Sequence, residues 1–302
     1  MNIIELDQIT KTFGQHVAVD RLSLGVPEGS IYGFIGPNGS GKTTTIRMIM
    51  NILYPDSGAL QVLGSKQTGS YLEKIGYLPE ERGLYRKMKV KELICFYAEL
   101  KRVSRPAKEA DYWLDRFELT PWANKKVETL SKGMSQKVQF IITVINHPPL
   151  IILDEPFSGL DPVNADLIRN VILDLRKKGS TIVFSTHDMG VAERMCDFIF
   201  MIYKGKKVLD GTLESIQQQF GQDTLRIQAE GGMQVLNGLP GIEKINDFGQ
   251  MQELKMAPGT DPQGILATLV AKTKLRKFEI TSPSLHDIFI RIAGPENNDL
   301  HE

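Results

Sequence analysis

A glycine-rich turn that carries one lysine and two threonines is the first segment of this chain whose residue types could do chemistry. It reads Gly36-Pro37-Asn38-Gly39-Ser40-Gly41-Lys42-Thr43, followed by Thr44, and fits the pattern G-x-x-x-x-G-K-[ST]. The glycines let the backbone wrap closely, so that successive N–H groups converge on phosphate oxygens. Lys42 would place its charge on the β- and γ-phosphates, and the Thr43 hydroxyl would reach Mg²⁺. The segment therefore predicts a nucleotide site that uses Mg²⁺.

An apolar run that ends in two carboxylates is the second such segment. It reads Leu150-Ile151-Ile152-Leu153-Asp154-Glu155. A run of this kind is typical of a buried strand whose carboxyl end lies at the ligand crevice of an α/β sheet. There Asp154 would hold Mg²⁺, and Glu155 would polarise the attacking water. The run thus predicts that metal and water are positioned beside the phosphate cradle.

The elements that must position these groups follow an alternating order. Short apolar strands alternate with helices, which predicts a mostly parallel sheet covered on both faces. The glycine-rich turn falls between a predicted strand over residues 31–35 and a predicted helix over residues 42–51, which is the context that the phosphate motif requires. Residues 89–128 instead repeat apolar side chains at helical spacing, which predicts an insertion of two or three helices.

From about residue 222 the pattern changes to β-α-β-β-α-β, followed by one last helix. This order is typical of a ferredoxin-like unit. Residues 211–221 contain Gln217, Gln218 and Gln219, and we expect this segment to form the joint before the unit. A dimer prop, a ligand-sensing regulatory domain and a plain extension stay open as roles for it, because a fold does not define a function.

Several further segments resemble the motifs of the ATP-binding cassette (ABC) proteins. The segment Leu130-Ser131-Lys132-Gly133-Met134-Ser135-Gln136 resembles the LSGGQ signature. Phe157-Ser158-Gly159-Leu160-Asp161 looks like the D-loop, and Ser185-Thr186-His187-Asp188 looks like the H-loop. Tyr77-Leu78-Pro79-Glu80 stands where the Q-loop would be, and Phe13 stands where an aromatic ring stacks on adenine. With the phosphate cradle, these motifs follow the order of the family over about residues 1–220.

The resemblance implies an α/β fold of the P-loop NTPase class, with an ABC-type nucleotide-binding domain over residues 1–215 and a helical subdomain at about 85–130. It also implies a small α+β, ferredoxin-like accessory domain over residues 222–294, similar to the extension of bacterial ATP-binding subunits that work with separate exporter-type membrane proteins. The implied activity is ATP hydrolysis that drives transport, outward in direction, through a separate transmembrane permease. The implied cofactors are ATP and Mg²⁺.

The resemblance further implies a head-to-tail dimer, expected to be a homodimer, with two ATP molecules between the subunits. In each site one subunit would supply the phosphate cradle and the catalytic groups Lys42, Glu155 and His187. Glu155 would orient or deprotonate the attacking water, and His187 would contact the γ-phosphate. Phosphoryl transfer depends mainly on positioning and charge stabilisation, so each missing group should cost orders of magnitude in rate.

The other subunit would supply the signature to the same nucleotide. Ser131 can cap the helix that follows, so that its side chain and the Gly133 N–H would face the γ-phosphate at a helix N-terminus. Asp161 of the D-loop would link the two sites. Closing the dimer would complete the electrostatic cage and exclude water.

Three residues depart from the motifs of the family. Glu80 stands at the glutamine of the Q-loop, and our hypothesis is that it keeps a metal-binding role with a stronger dependence on Mg²⁺. Lys132 replaces the first glycine of the signature, and we expect it to be helical and to project outward. Met134 replaces the glutamine and loses a hydrogen-bonding group. A degenerate site that binds ATP without turnover is the alternative, and the intact Glu155 and His187 argue against it.

The expected partners are a second nucleotide-binding subunit and the permease. We find no run of about 20 mostly apolar residues that could cross a bilayer. We therefore expect a cytoplasmic chain that lies on the cytoplasmic face of the membrane through its partner, without a covalent lipid anchor. A groove between the helical insertion and the Glu80 segment would receive a helix of the permease. Its candidate lining is Tyr85, Val90, Leu93 and Tyr97, although their spacing is equally typical of a core face.

Two other classes of protein compete with the transporter interpretation. One is a soluble cassette ATPase that acts on the ribosome or on nucleic acid, and the other is a small-molecule kinase. Lys and Arg number 36, as do Asp and Glu, so the chain offers no general attraction for nucleic acid, and no nucleic-acid partner is expected. The chain has one cassette and no sustained heptads. A kinase would not need a signature, a D-loop and an H-loop together.

Overall fold

The computed structural model describes residues 1–66, 71–80, 83–221 and 223–294, and the chain divides into two compact units, Met1–Gly211 and Thr212–Glu302. Residue 222, where the second domain is expected to begin, lies outside the described residues. The strands of the first unit are β1 (Asn2–Phe13), β2 (His16–Pro27), β3 (Ile31–Ile35), β4 (Ser57–Val62), β5 (Ser65–Lys66), β6 (Ile75–Leu78), β7 (Leu150–Asp154), β8 (Thr181–Thr186), β9 (Phe198–Tyr203) and β10 (Lys206–Gly211).

Six of these strands form the sheet that carries the predicted site, in the order β10-β9-β3-β8-β7-β6. The strands from β9 to β6 run parallel, and β10 pairs with β9 in the antiparallel sense. Every residue of β3, β7 and β8 is buried, as expected for strands covered on both faces. The carboxyl ends of these parallel strands lie at one edge of the sheet. The phosphate cradle follows β3, Asp154 ends β7 and His187 follows β8, so all three lie at that edge.

The remaining strands form an antiparallel sheet in the order β2-β1-β4-β5. β1 and β2 form a hairpin in which Phe13 lies directly opposite His16. Gly14 occupies the turn between them with a φ of +59°, a left-handed conformation that favours glycine. Since opposite residues of an antiparallel pair project from the same face, the Phe13 and His16 side chains lie side by side.

The helices of the first unit cover these sheets and include the predicted helical insertion. Helices α2 and α3 fall inside residues 89–128, where the described residues hold no strand longer than an isolated bridge. Trp113 of α3 and Phe140 of α4 lie in one apolar core with the buried residues of β7. Among the described residues of this unit, the α-helices are α1 (Lys42–Ile49), α2 (Val90–Leu100), α3 (Pro106–Arg116), α4 (Lys132–Val144), α5 (Pro162–Lys177) and α6 (Met189–Met195).

The second unit is a small α+β body with one antiparallel sheet in the order β12-β13-β11-β14. This strand order and the β-α-β-β-α-β succession define the predicted ferredoxin-like fold. Its elements are α7 (Leu213–Phe220), β11 (Thr224–Ala229), α8 (Met233–Leu236), β12 (Ile242–Asp247), β13 (Gln252–Met256), α9 (Pro262–Lys272), β14 (Leu275–Thr281) and α10 (Leu285–Ala293).

Residues 211–221, which we expect to form the joint before the second unit, contain helix α7, and the division between the two compact units falls at their start, between Gly211 and Thr212. Thr212 caps this helix by accepting a hydrogen bond from the Ser215 N–H at 3.1 Å. A threonine cap followed by an apolar residue that becomes fully buried, here Ile216, favours a helix over a linker. The glutamine run is helical and does not mark a break in the chain.

Candidate functional site

The turn between β3 and α1 is built so that only glycine fits at two of its positions. A Cβ on Gly36 would lie 2.2 Å from the Ile202 carbonyl oxygen, and a Cβ on Gly41 would lie 2.6 Å from the Ala18 carbonyl oxygen. Gly41 also has a φ of +111° and stands at the N-cap of α1, where no described side chain caps the helix. The first turn of α1 therefore presents its N–H groups and its positive dipole end to an anion.

Lys42 is held inside this turn. Its side chain is nearly buried, and Nζ donates hydrogen bonds to the Gly36 carbonyl at 2.6 Å and to the Pro37 carbonyl at 3.0 Å. Burial lowers the pKa of the Lys42 ammonium, and the negative charges of Glu155 and Asp154 act in the opposite direction. A phosphate in the cradle would supply the full counter-charge that two neutral carbonyls do not.

A cavity of about 600 Å³ lies in front of the turn. It brings together most of the predicted site, at a size that suits a nucleotide or a similar ligand. Its lining contains residues 38–44 of the turn together with Phe13, His16, Ala18, Glu80, Asp154, Glu155, Ser158 and His187. Gly36 and Pro37 are not part of the described lining, and their carbonyl groups accept hydrogen bonds from Lys42.

Asp154 is a buried carboxylate with one oxygen still available. The Ser185 hydroxyl donates a hydrogen bond to Asp154 Oδ1, whereas Oδ2 has no hydrogen-bond partner among the described residues. The Ser40 hydroxyl, in the phosphate cradle, is likewise buried without a described partner. A buried carboxylate oxygen without a partner is costly unless a cation or a hydrogen-bond donor meets it. With the Thr43 hydroxyl on the same cavity, the oxygen donors fit Mg²⁺.

The described residues contain no group of three or more His, Cys, Asp and Glu side chains that could hold a metal ion by themselves. This fits a cation that takes part of its coordination from phosphate oxygens and water, as Mg²⁺ commonly does.

Glu155 and His187 form the second polar pair of the cavity. Glu155 Oε1 lies 3.0 Å from His187 Nδ1. The Glu155 side chain is 12% exposed and that of His187 is 58% exposed, so the imidazole reaches outward from the carboxylate. Glu155 has a φ of +49°, a left-handed conformation that costs energy for a non-glycine residue. The pair can orient a water molecule and exchange a proton with it.

Ser185 is a positioning residue that the sequence analysis did not single out. Its hydroxyl donates to Asp154 Oδ1 and accepts a hydrogen bond from the Glu155 N–H at 3.1 Å. The register of the sheet explains this double contact, because Ser185 of β8 lies directly opposite Asp154 of β7. One buried hydroxyl thus contacts both the Asp154 carboxylate and the backbone of Glu155. Only its place next to the predicted H-loop histidine could have pointed to it.

Replacing Ser185 by alanine is therefore expected to lower ATP hydrolysis about tenfold and the free energy of unfolding by about 2 kcal/mol, since two buried groups lose a partner. Steady-state ATPase assays and urea denaturation measure the two effects. Ser180→Ala is the matched control: this buried hydroxyl donates to the Pro148 carbonyl at 2.9 Å, away from the cavity. The control should lose stability and keep its rate, and an equal loss of rate in both variants would contradict the role given to Ser185.

The signature and Asp161 of the D-loop are not part of the described cavity lining of their own chain, whereas Ser158 of the D-loop is. Ser131 caps α4, as predicted, by accepting a hydrogen bond from the Met134 N–H at 3.2 Å. Gly133 follows in the first turn, and Asp161 caps α5 by accepting from the Asn164 N–H at 3.0 Å. Hydrogen bonds from Asn164 lower the pKa of Asp161. Neither Ser131, Gly133 nor Asp161 is part of the described cavity lining, so one chain alone does not gather all the predicted nucleotide contacts.

Phe13 lies at the end of β1, 48% exposed, on the wall of the cavity. Its ring is free of the core, and a core-packing role is therefore excluded. The Lys11 ammonium lies 5.7 Å from the ring centroid. An exposed ring on a cavity wall can stack on a planar base.

The predicted groove lining is partly wrong. Val90 and Leu93 of α2 are fully buried and belong to the core of the helical insertion. Tyr85 is exposed and Tyr97 is half-buried, and both contact the exposed Phe96, which the sequence analysis missed. The ring centroids of Tyr85 and Phe96 are 6.0 Å apart, and those of Phe96 and Tyr97 are 5.6 Å apart. The surface candidates are thus three aromatic rings, which we call the aromatic cluster.

In the part of the chain that the structure describes, no helix combines the length and the apolar character that a membrane span needs.

A glycine-rich turn between a buried strand and a helix, with Asp154 and Glu155 at the end of β7, defines a P-loop nucleotide-binding protein. The family described as "ABC transporter" matches residues 19–158. Residues 211–293 match the family described as "ATP-binding protein DrrA1-3-like, C-terminal domain". Residues 124–193 also match the family described as "AAA domain, putative AbiEii toxin, Type IV TA system".

Two of the similar proteins align with this chain over almost its whole length. The uncharacterized ABC transporter ATP-binding protein YhaQ of Bacillus subtilis is 43% identical over 97% of this chain and 99% of its own length. The Nod factor export ATP-binding protein I of Sinorhizobium fredii is 32% identical over 98% of this chain and 87% of its own length. A solved structure titled "Structure of ATP binding subunit of ABC transporter" aligns with a TM-score of 0.68, at 30% identity over 72% of this chain and 93% of that chain.

The chain belongs to the family of ABC transporter ATP-binding proteins. It binds nucleotide, and it is an ATPase that serves as the ATP-binding subunit of a transporter. The resemblance found in the motifs and the predicted α/β fold are both confirmed. The alternatives of a ribosome or nucleic-acid ATPase and of a small-molecule kinase are not supported by these relatives.

Proposed function

We propose that two copies of this chain bind two ATP molecules head to tail and hydrolyse them to drive a separate membrane permease. One observation carries the proposal: a single chain gathers Lys42, Glu155 and His187 on one cavity but leaves Ser131 and Gly133 outside it. A nucleotide held by one chain would therefore stay open to water on one side. The signature of a second copy, with its helix N-terminus, would close that side.

The roles of the cavity residues follow from their chemistry. Lys42 and the N-terminus of α1 neutralise the β- and γ-phosphates, while Phe13 stacks on the adenine. Glu155 accepts a proton from the attacking water or orients that water, and His187, hydrogen-bonded to Glu155, contacts the γ-phosphate. Asp161 of the D-loop links the two sites across the dimer. The other residues of the turn that line the cavity, from Asn38 to Thr44, bind phosphate through their backbone N–H groups.

The metal would be Mg²⁺, which neutralises charge on the β- and γ-phosphates when bound. Thr43 and Asp154 would hold it, because both present oxygens to the cavity and Asp154 keeps one oxygen unpaired. Glu80 lies on the same cavity and would add a carboxylate, directly or through water.

We assign the nucleotide-binding domain to residues 1–215, with its helical subdomain at about 85–130, and the accessory domain to residues 222–294. The chain divides into its two compact units between Gly211 and Thr212. The chain would lie on the cytoplasmic face of the cell membrane through its permease. Outward transport is supported by relatives such as the Nod factor export ATP-binding protein I of Sinorhizobium fredii.

The aromatic cluster is the surface that would receive a cytoplasmic helix of the permease. Tyr85 and Phe96 are 57% and 38% exposed, on the helical subdomain beside the segment that ends in Glu80. Exposed aromatic side chains are enriched at the centres of protein interfaces, because they bury large areas at a low cost in conformational entropy. An amphipathic helix with an apolar face would cover these rings.

Replacing Phe96 by alanine is expected to weaken membrane association about thirtyfold and so to lower the membrane-bound fraction, since a central aromatic contact contributes about 2 kcal/mol to binding. Tagged full-length protein in a cell lysate is separated into membrane and supernatant by centrifugation and measured by immunoblot. Tyr54→Ala, which removes another exposed ring of the first unit, is the matched control. ATPase activity of the purified variants should stay native. A membrane-bound fraction that is unchanged in the Phe96→Ala variant would contradict the proposal that the permease docks on the aromatic cluster.

A further inference from the structure

Lys132 and Glu80 are the two charged departures from the family's motifs, and they have opposite signs. We propose that they form one electrostatic unit: the Lys132 ammonium of one subunit compensates, at the γ-phosphate end of the nucleotide, for the Glu80 carboxylate of the other subunit. The inference rests on the proposed head-to-tail dimer. It makes Lys132 a specificity-determining contact for the triphosphate, supplied in trans.

The charge of Lys132 lies at the N-terminus of α4. Lys132 is the first residue of α4, directly after the cap Ser131, and its side chain is exposed, as predicted. No described carboxylate lies within ion-pairing distance of its ammonium. Lys132 therefore adds a full positive charge to a helix N-terminus that is already positive.

Lys132 lies along Gly159 of the D-loop: a Cβ on Gly159 would come within 2.9 Å of the Lys132 Nζ and 3.3 Å of Cε. Gly159 has a φ of +72°. The Lys132 side chain thus occupies the space that a side chain at position 159 would fill. It lies between the signature and the D-loop of its own chain. Lys132 does not line the nucleotide cavity of its own chain, and in the proposed dimer the signature that carries it faces the nucleotide of the other subunit.

The described lining of the cavity contains three carboxylates, Glu80, Asp154 and Glu155. The positive charge of Lys42 offsets one of these three negative charges. Glu80 forms no ion pair with a described residue; burial lowers the pKa of Lys42, and the charge of Glu80 is among those that oppose this lowering. A triphosphate brought beside these carboxylates meets more repulsion than it would beside a neutral glutamine at position 80. A cation arriving with the second subunit lowers that repulsion.

The experiment is a double-mutant cycle on the full-length chain, with Lys132→Ala and Glu80→Gln made singly and together. All proteins also carry Glu155→Gln, so that ATP is not consumed, and sedimentation velocity with MgATP measures the dissociation constant of the dimer. Lys132→Ala is expected to weaken the dimer about tenfold with Glu80 present and about twofold with Gln at 80, because close charge pairs across interfaces couple. Native and variant ATPase rates, measured without Glu155→Gln, should follow the same pattern.

Two control variants separate the charge of Lys132 from other effects of the substitution. Lys132→Arg should retain the native dimer, since it keeps the charge, and Lys108→Ala, at an exposed lysine in the first turn of α3, should change nothing. Equal weakening by Lys132→Ala in both backgrounds would overturn the pairing while leaving the dimer intact. Absence of any dimer with native Lys132 and Glu80 would instead overturn the head-to-tail assembly itself.

Discussion

Replacing Glu155 by glutamine is expected to lower ATP hydrolysis about 10³-fold, which corresponds to about 4 kcal/mol of transition-state stabilisation. Glutamine keeps the shape of the side chain and cannot accept the proton of the attacking water. The substitution also removes a negative charge close to the γ-phosphate, so ATP should bind at least as tightly as before. The variant should therefore hold ATP unhydrolysed and accumulate as a dimer.

Size-exclusion chromatography with light scattering gives the mass of the Glu155→Gln variant with and without MgATP, and a coupled assay gives its rate. Glu73→Gln removes an exposed carboxylate elsewhere on the first unit and should keep both the rate and the monomer–dimer behaviour of the native chain. A Glu155→Gln protein that binds MgATP at saturation and stays monomeric would refute the sandwich.

The sheet and the phosphate cradle could be predicted because their information is local. Gly36, Gly41 and Lys42 stand at fixed positions of one eight-residue motif, which is why they could be predicted, although the carbonyl groups that exclude a Cβ at the two glycines belong to the distant residues Ile202 and Ala18. The buried run of β7 ends in Asp154 because parallel strands covered on both faces are continuously apolar. The sequence signal of each of these features is contained in a few consecutive residues.

The contacts that could not be predicted depend on residues far apart in the sequence. Ser185 bridges Asp154 and Glu155 because β8 pairs with β7 in one register, which no pattern in either strand specifies. Apolar spacing on α2 could not tell Leu93, in the core, from Phe96, on the surface, because both lie on a helix that is apolar around much of its circumference. Periodicity identifies a helix more securely than it identifies what covers each face.

Replacing Lys42 by methionine is expected to weaken ATP binding by about 100-fold or more, since the cradle loses its one buried cation while Asp154 and Glu155 stay in place. Methionine keeps the length of the side chain, so the core is not emptied. Burial lowers the pKa of the Lys42 ammonium in the folded chain, so its charge is a cost to folding without nucleotide, and the variant should unfold at the same temperature or slightly higher.

Calorimetry with and without MgATP separates these effects. At an ATP concentration of about 100 times its dissociation constant, the native chain gains about 2.7 kcal/mol of stability, and the Lys42→Met chain should gain almost none. If MgATP stabilised the Lys42→Met chain as much as the native chain, the cavity would bind nucleotide without its lysine. Lys108→Met, at an exposed lysine of α3, controls for the loss of a positive charge.

The same variant tests which subunit supplies the signature. Ser131→Asp keeps a good helix cap for α4 and sets a negative charge against the γ-phosphate, so it should be inactive alone. When Lys42→Met and Ser131→Asp chains are mixed, a mixed dimer contains one site with a native lysine from one chain and a native signature from the other. Random pairing should restore up to about a quarter of the native rate, because about half of the dimers are mixed and each holds one intact site. If the signature acted on the nucleotide of its own chain, every site in the mixture would carry a defect and no activity would return.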